Sequence, residues 1–221
     1  MKGYRQFCAV SRALDVLGGR WAFLVIRELL LGPRRYTDLL TGLPGIPSSV
    51  LTARLRDLEL SNVVRRIRLP PPAAAVVYEL TDDGADLRPI VDDLARWGLR
   101  LMDRPQRGEA VRACWLTYSL CVSMPVTVLP VDAELEFRLD DEVETIREHA
   151  GHLEAHWGPA RHPLAIVESS VRALYLIATG QSDRHELQRQ GKLTITGDAR
   201  IAERFFDTAH DIWRSPSQPS A

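Results

Sequence analysis

Cysteine is scarce in this 221-residue chain: Cys8, Cys114 and Cys121 are an odd set that cannot form a complete disulfide framework. That usage fits a reducing cytoplasm, the expected location. No nucleophile elbow, phosphate-cradling glycine loop or zinc-ligand spacing occurs, and Gly18-Gly19 reads only as a helix break. Catalysis therefore has no residues to rest on, and neither a cofactor nor a metal is expected. His149, His152, His156 and His162 lie close in sequence. A strand-turn-strand path through Ala150-Gly151 does not oblige them to converge, and no cysteine lies near them. Ala113 to Val131 lacks charge, but Pro125 and Pro130 interrupt it, Thr117, Ser119 and Ser123 dilute it, and no basic cluster flanks it. A buried helix of about Val111 to Ser123, followed by an extended segment, is expected in place of a membrane span. Met1 to Gln6 runs straight into charged, helical sequence, so no signal peptide is expected. No internal repeat appears, and Ser215 to Ala221 reads as a frayed tail.

Net charge is nearly absent as well, at −1, yet its distribution is uneven. Met1 to Pro72 holds 12 basic and 5 acidic residues, and the remainder holds 16 and 24. A basic head suits DNA, and an acidic body is a soluble one.

The head is punctuated into short helices. Val10 to Leu17 and Ala22 to Leu31 are separated by Gly18-Gly19 and closed by Gly32-Pro33, and Tyr36 to Leu40 ends at Gly42. After Pro44-Gly45-Ile46-Pro47, Ser48 and Ser49 are natural caps for a fourth helix running to about Leu60. Its Leu51, Leu55 and Leu58 fall at i, i+4 and i+7 and face a core. The other side carries Ser49, Thr52, Ala53 and Arg56, groups able to approach base edges from the major groove, with Ser48 at the amino-terminal end. Val63 to Leu69 is a β-branched run bearing Arg65, Arg66 and Arg68; Pro70-Pro71-Pro72 and three alanines break it, and Val76 to Leu80 returns. The result is a hairpin whose guanidinium groups reach phosphates or a narrow minor groove. Arg34, Arg35 and Arg54 are further phosphate candidates.

The stretches Cys8 to Trp21, Ile26 to Tyr36 and Leu51 to Glu59, the last ending Arg54-Leu55-Arg56-Asp57-Leu58-Glu59, resemble the HxlR family of winged-helix transcriptional regulators over about the first hundred residues. The resemblance implies a homodimer whose paired recognition helices read half-sites of a pseudo-palindromic operator in double-stranded DNA. One departure is Ala9, where the family commonly has proline. Some members of the family sense oxidants or electrophiles through the cysteine at the position of Cys8. Here Arg5 and Arg12 stand near it in sequence, where charge and helix dipole lower a thiol pKa; packing under the dimer helices is the alternative role.

A helix capped near Thr81 places Leu87, Ile90, Val91, Leu94, Trp97 and Leu101 on one stripe, which either packs within its own domain or, as the family resemblance implies, joins the first helix at a dimer seam. Arg104-Pro105-Gln106-Arg107-Gly108 reads as a linker. The expected organisation is a mainly α winged helix-turn-helix domain at residues 1–104 and an α+β domain at residues 105–221.

In the second half, Leu135, Phe137 and Leu139 alternate with charged neighbours, as do Leu153, Ala155 and Trp157, giving half-buried strands. Val143 to Ala150 fits either a strand or a helix. Leu164 to Val167 reads as a strand, Val171 to Ala178 as a helix, Leu193 to Thr196 as a strand and Ile201 to Ile212 as a closing amphipathic helix; a meander with helices grouped afterwards is an α+β pattern. Ala178-Thr179-Gly180, Leu187 to Asp198 and Ala202 to Phe206 are similar to the carboxyl-terminal part of sterol carrier protein-like domains. That resemblance covers roughly Asp132 to Ile212 and turns Val143 to Ala150 toward strand. It implies an apolar tunnel for a small hydrophobic ligand, with Trp115, Tyr118, Phe137 and Trp157 as candidate lining; the alternative is a domain that only enlarges the dimer. Cys114 and Cys121 read as small core residues.

The expectation is thus a dimeric, DNA-binding repressor carrying a ligand-sensing domain, not an enzyme and not bound to a membrane. A lipid-type carrier whose winged helix binds protein, and a regulator sensing oxidants through Cys8, stand as alternatives.

Overall fold

The computed structural model describes residues 3–102 and 105–214. Arg104 of the linker and the tail Ser215 to Ala221 lie outside the described residues. The chain forms two compact units, Met1–Val91 and Asp92–Ala221.

In the first unit α1 (Ala9–Leu17), α2 (Ala22–Leu30), α3 (Tyr36–Gly42) and α4 (Ser48–Leu60) precede a hairpin of β1 (Val64–Arg68) and β2 (Val76–Leu80). The breaks fall where the backbone needs them: after Gly18-Gly19, Trp21 caps α2 in the left-handed region at φ 80°. Val25, Ile26, Leu39, Leu51 and Leu58 are fully enclosed, and Leu55 nearly so. Each such side chain contributes about 1.5–3 kcal/mol by leaving water. Ser48 and Ser49 do not cap α4. Pro47 is the cap residue, with no side-chain bond, and its carbonyl accepts the amides of Val50 (2.9 Å) and Leu51 (3.0 Å). The two serines are already inside the first turn.

The helix after the wing is also not continuous. Thr81 caps α5 (Asp82–Ala85), its hydroxyl accepting the Gly84 amide at 3.0 Å, and the chain then restarts as α6 (Arg88–Leu99). Pro89 has no N–H to extend α5, but it is tolerated in the first turn of α6. The division between the two units falls inside α6.

The second unit adds α7 (Ala113–Cys121), β3 (Glu134–Leu139), β4 (Glu142–His149), β5 (His152–Trp157), β6 (Pro163–Ser169), α8 (Val171–Ala178), α9 (Arg184–Arg189), β7 (Thr194–Gly197) and α10 (Ala199–Arg214). The helix expected from Val111 is shorter at both ends, and a single 3-10 turn, Val126–Val128, interrupts the segment expected to be extended. The sheet runs β5-β4-β3-β6-β7. Val143 to His149 is strand, paired with β3 on one side and β5 on the other, and Ala150 falls in the turn to β5 at φ 50°. The meander stops at β5, because β6 returns to the free edge of β3 and pairs with it in parallel. That topology needs a crossover, which residues 158–162 supply: the Ala160 and His162 amides donate to Glu136 and Glu134 of β3 at 2.9 Å each as the chain passes from β5 to β6. One transverse row, Trp157–Glu144–Phe137–Val167–Ile195, follows from the registers. Helices cover this face: Thr117 of α7 donates to Glu144, and Phe205 of α10 packs on Phe137 with ring centroids 5.1 Å apart. Among the described residues no helix is long and apolar enough to cross a membrane.

Candidate nucleic-acid interface

Ser48, Ser49 and Thr52 are exposed along the amino-terminal half of α4, and Arg56 is exposed one turn beyond Thr52. A residue missed by the sequence reading organises two of them, Ser48 and Thr52. The Tyr36 hydroxyl, from the first turn of α3, lies 2.8 Å from Ser48 Oγ, 3.2 Å from Thr52 Oγ1 and 2.9 Å from the Ser48 carbonyl. Thr52 also donates to that carbonyl at 3.0 Å. Hydrogen bonds from Ser48 and then Thr52 hold the Tyr36 phenol below its ordinary pKa. Tyr36 was legible only as a helix start, since nothing in spacing shows that two helices will bring its hydroxyl to this corner.

The arginines divide by environment. Arg54 is turned inward, its side chain 14% exposed and 3.2 Å from Asp57. A Cβ on Gly19 would fall 2.3 Å from the Arg54 guanidinium, so glycine permits this close approach. In the wing, Arg65 meets Glu79 directly across the hairpin at 2.6 Å, and Arg66 lies over the Tyr78 ring at 5.9 Å. Arg66 and Arg68 are exposed and, two apart on β1, share a face. Arg34 pairs its backbone with Tyr78 in both directions, at 2.9 and 2.7 Å, tying the α2–α3 connection to the wing. Arg35 is the exposed cap residue of α3.

The four aromatic residues proposed to line a tunnel are distributed unevenly. Phe137 is fully enclosed against Phe205. Tyr118 is buried and donates its hydroxyl to Asp92. Trp115 and Trp157 are half-buried and gather around Arg112, whose guanidinium carbon is 5.9 Å from each ring centroid. Arg112 Nε also donates to Glu142 Oε1 at 3.0 Å. Glu142 and Glu144, two apart on β4, were not singled out from sequence, where this segment fitted either a strand or a helix; the registers turn them to the helix-covered face.

Residues 16–106 match the family profile of HxlR-like helix-turn-helix proteins. The HTH-type transcriptional regulator YvaP of Bacillus subtilis is 36% identical over 93 residues, which are 42% of this chain and 86% of that protein. The chain belongs to the HxlR-like helix-turn-helix family. A second regulator of B. subtilis, YdeP, is 32% identical over 105 residues, covering 48% of this chain and 82% of its own length. Among solved structures, the redox regulator HypR in its oxidized form is 33% identical, with a TM-score of 0.41 over 44% of this chain and all of that one. Residues 128–209 match the SCP-2 sterol transfer family. The chain therefore joins an HxlR-like winged helix-turn-helix to an SCP-2-like α+β domain. Ahead of the matched residues, Cys8 is exposed and stands at the N-cap position of α1 without a side-chain capping bond. The Ser11 amide, then the Ser11 hydroxyl and the Val10 amide, hold its thiol below the ordinary value. The cause is thus the first helical turn, where the sequence had also pointed to Arg5 and Arg12.

Proposed function

We propose that this HxlR-family chain is a homodimeric, sequence-specific repressor whose SCP-2 unit binds a small hydrophobic ligand that changes operator affinity. The observation that carries the reading is the exposed Tyr36–Ser48–Thr52 hydroxyl cluster, on the helix that also carries the exposed Arg56. Hydroxyls at the amino-terminal end of a helix suit base edges, and exposed guanidinium groups suit phosphates. Arg35, Arg56, Arg66 and Arg68 supply the exposed charge, with Arg34 and Arg65 flanking, while Arg54 braces the fold beneath them.

A second copy is the proposed cover for the apolar stripe. Ile90, Leu94, Trp97 and Leu101 are 51%, 47%, 56% and 69% exposed, and Val10 and Leu14 of α1 are 66% and 40% exposed, so only Val91 of the central stripe is enclosed within one chain. That much apolar surface in a short stretch favours a partner, and twofold pairing matches a pseudo-palindrome. A ligand controls such a dimer only through its differential affinity for two states, about 1–3 kcal/mol or roughly 5- to 150-fold in operator affinity.

The test is fluorescence anisotropy of the full chain with DNA from its own promoter region, across a salt series. Tight binding with steep salt dependence and a preference over scrambled DNA is expected. Weak binding without preference would favour a carrier whose winged helix contacts protein. An exposed, acidified Cys8 thiol favours one further reading, in which oxidants or electrophiles act through this residue.

A further inference from the structure

A cation already occupies a receptor-like setting in the SCP-2 unit, and it belongs to the chain itself. Arg112 donates to Glu142 through Nε and a terminal nitrogen, and its guanidinium carbon stands 5.9 Å from the ring centroids of both Trp115 and Trp157. A structural ion pair requires only the carboxylate. Here two of the five tryptophans flank the charge, and indole faces are the strongest aromatic partners for a cation. The acid side is also richer than one ion pair requires. Ligand-type oxygens of Glu142 and Glu144 lie within 4.8 Å of each other, and Glu142 Oε2 is buried without a hydrogen-bond partner among the described residues. Carboxylates on the covered face of a sheet are costly unless something positive is held there.

The position of Arg112 makes it replaceable. It is the extended cap residue of α7, at φ −125° and ψ 150°, and makes no side-chain capping bond. Residues 105–112 before it form no regular helix or strand. Its side chain can rotate outward without unwinding α7 or breaking a strand ladder.

We propose that the Trp115–Trp157–Glu142 cage is the head-group site of the ligand, and that it takes a monovalent organic cation with an apolar body, which displaces the Arg112 guanidinium. The charge meets Glu142 and the two indoles, while the apolar body is shielded from water by the half-buried aromatic surface. This rests on the reading of the SCP-2 unit as a ligand sensor and names the class of ligand. It also supplies a signal, because the displaced residue lies on the segment between the HxlR match, which ends at residue 106, and α7.

The experiment compares decyltrimethylammonium, 1-decanol and decanoate, equal in chain and different in head charge, at micromolar concentrations on the full chain. Binding is read by tryptophan fluorescence and calorimetry, and operator affinity by anisotropy. The cation is expected to bind at least about tenfold more tightly than the alcohol, with decanoate weakest. Glu142→Gln should abolish that preference. Arg112→Gln should strengthen cation binding several-fold, since it removes the internal competitor, whereas a merely structural arginine would weaken it. The head-group comparison on the wild-type chain stands even if Arg112→Gln fails to fold. Decanol or decanoate binding as tightly as the cation overturns the proposal, and so does binding of none of the three. If decanol alone shifts operator affinity, ligand control survives and the cation class falls. Cation binding with the expected preference but no change in operator affinity leaves the cage standing and removes the regulatory reading.

Discussion

Arg66 and Thr52 are both exposed, but they differ in what they can read. Arg66 lies over Tyr78 on the wing and offers a guanidinium to phosphate or a narrow groove. Arg66→Ala should weaken specific and nonspecific DNA together and flatten the salt slope by roughly one unit. Thr52 bonds to Tyr36 and Ser48 on the recognition helix. Thr52→Ala should instead redistribute preference among sequences by about 1–3 kcal/mol at one base position. Competition binding across a salt series checks both, and a lost sequence preference on Arg66→Ala with an unchanged slope would reverse the roles. For Cys8 the sign follows from the thiol being held below its ordinary value by first-turn amides. Its thiolate population rises at lower pH than that of a free cysteine, so alkylation by iodoacetamide should reach half its maximal rate at a lower pH than that of an unstructured cysteine peptide. Cys8→Ser should keep DNA binding in reducing buffer and lose any response to diamide. A wild-type protein that holds its operator through oxidation removes the redox reading.

At the scale of elements, the wing is closed by a short helix whose glycine is fixed by contact. A Cβ on Gly84 would stand 2.1 Å from the Val63 carbonyl oxygen, a backbone atom that cannot swing aside. Alanine is intrinsically the better helix former by about 1 kcal/mol. The clash should still win, and Gly84→Ala should lose about 1–3 kcal/mol in urea denaturation. A raised midpoint would mean that β1 yields to the helix at little cost. The Thr81 cap of this helix was legible, because its hydroxyl satisfies a local amide. The break before α6 was less so, since a hydrophobic stripe continuing from Leu87 to Leu101 masks what Pro89 does to the backbone.

For the whole molecule, the question is what α6 needs. Within the second unit Asp92 accepts from Tyr118, and Arg96 donates to the Val122 carbonyl at 2.7 Å. Truncation after Arg104 removes these partners and leaves the exposed stripe of α6. If a second copy covers that stripe, the truncated protein should still dimerise and bind operator within roughly tenfold of the full chain, and it should ignore ligand. Analytical ultracentrifugation and anisotropy check this. A monomeric product would make the SCP-2 unit the assembly platform, and a truncated dimer that still answers to the same compound would place the sensor in the winged helix.

Local signals sufficed where structure is set by neighbours along the chain. Gly18-Gly19, Gly42 and the Pro70 to Ala75 turn mark the breaks between head elements, and Leu51, Leu55 and Leu58 mark the core face of α4, because helix period and backbone dihedrals act over a few residues. Dense local motifs also carried both family resemblances. The joining of distant residues was decided by tertiary structure. Tyr36 meets Ser48 and Thr52 only when α3 packs beside α4, and Arg54 turns inward only because Gly19 leaves room for it. Glu144 falls in a row with Trp157 and Phe137 only after β4 takes its place between β3 and β5. Strand pairing over long separations fixes which face each side chain occupies, and periodicity within one strand cannot say which face is covered.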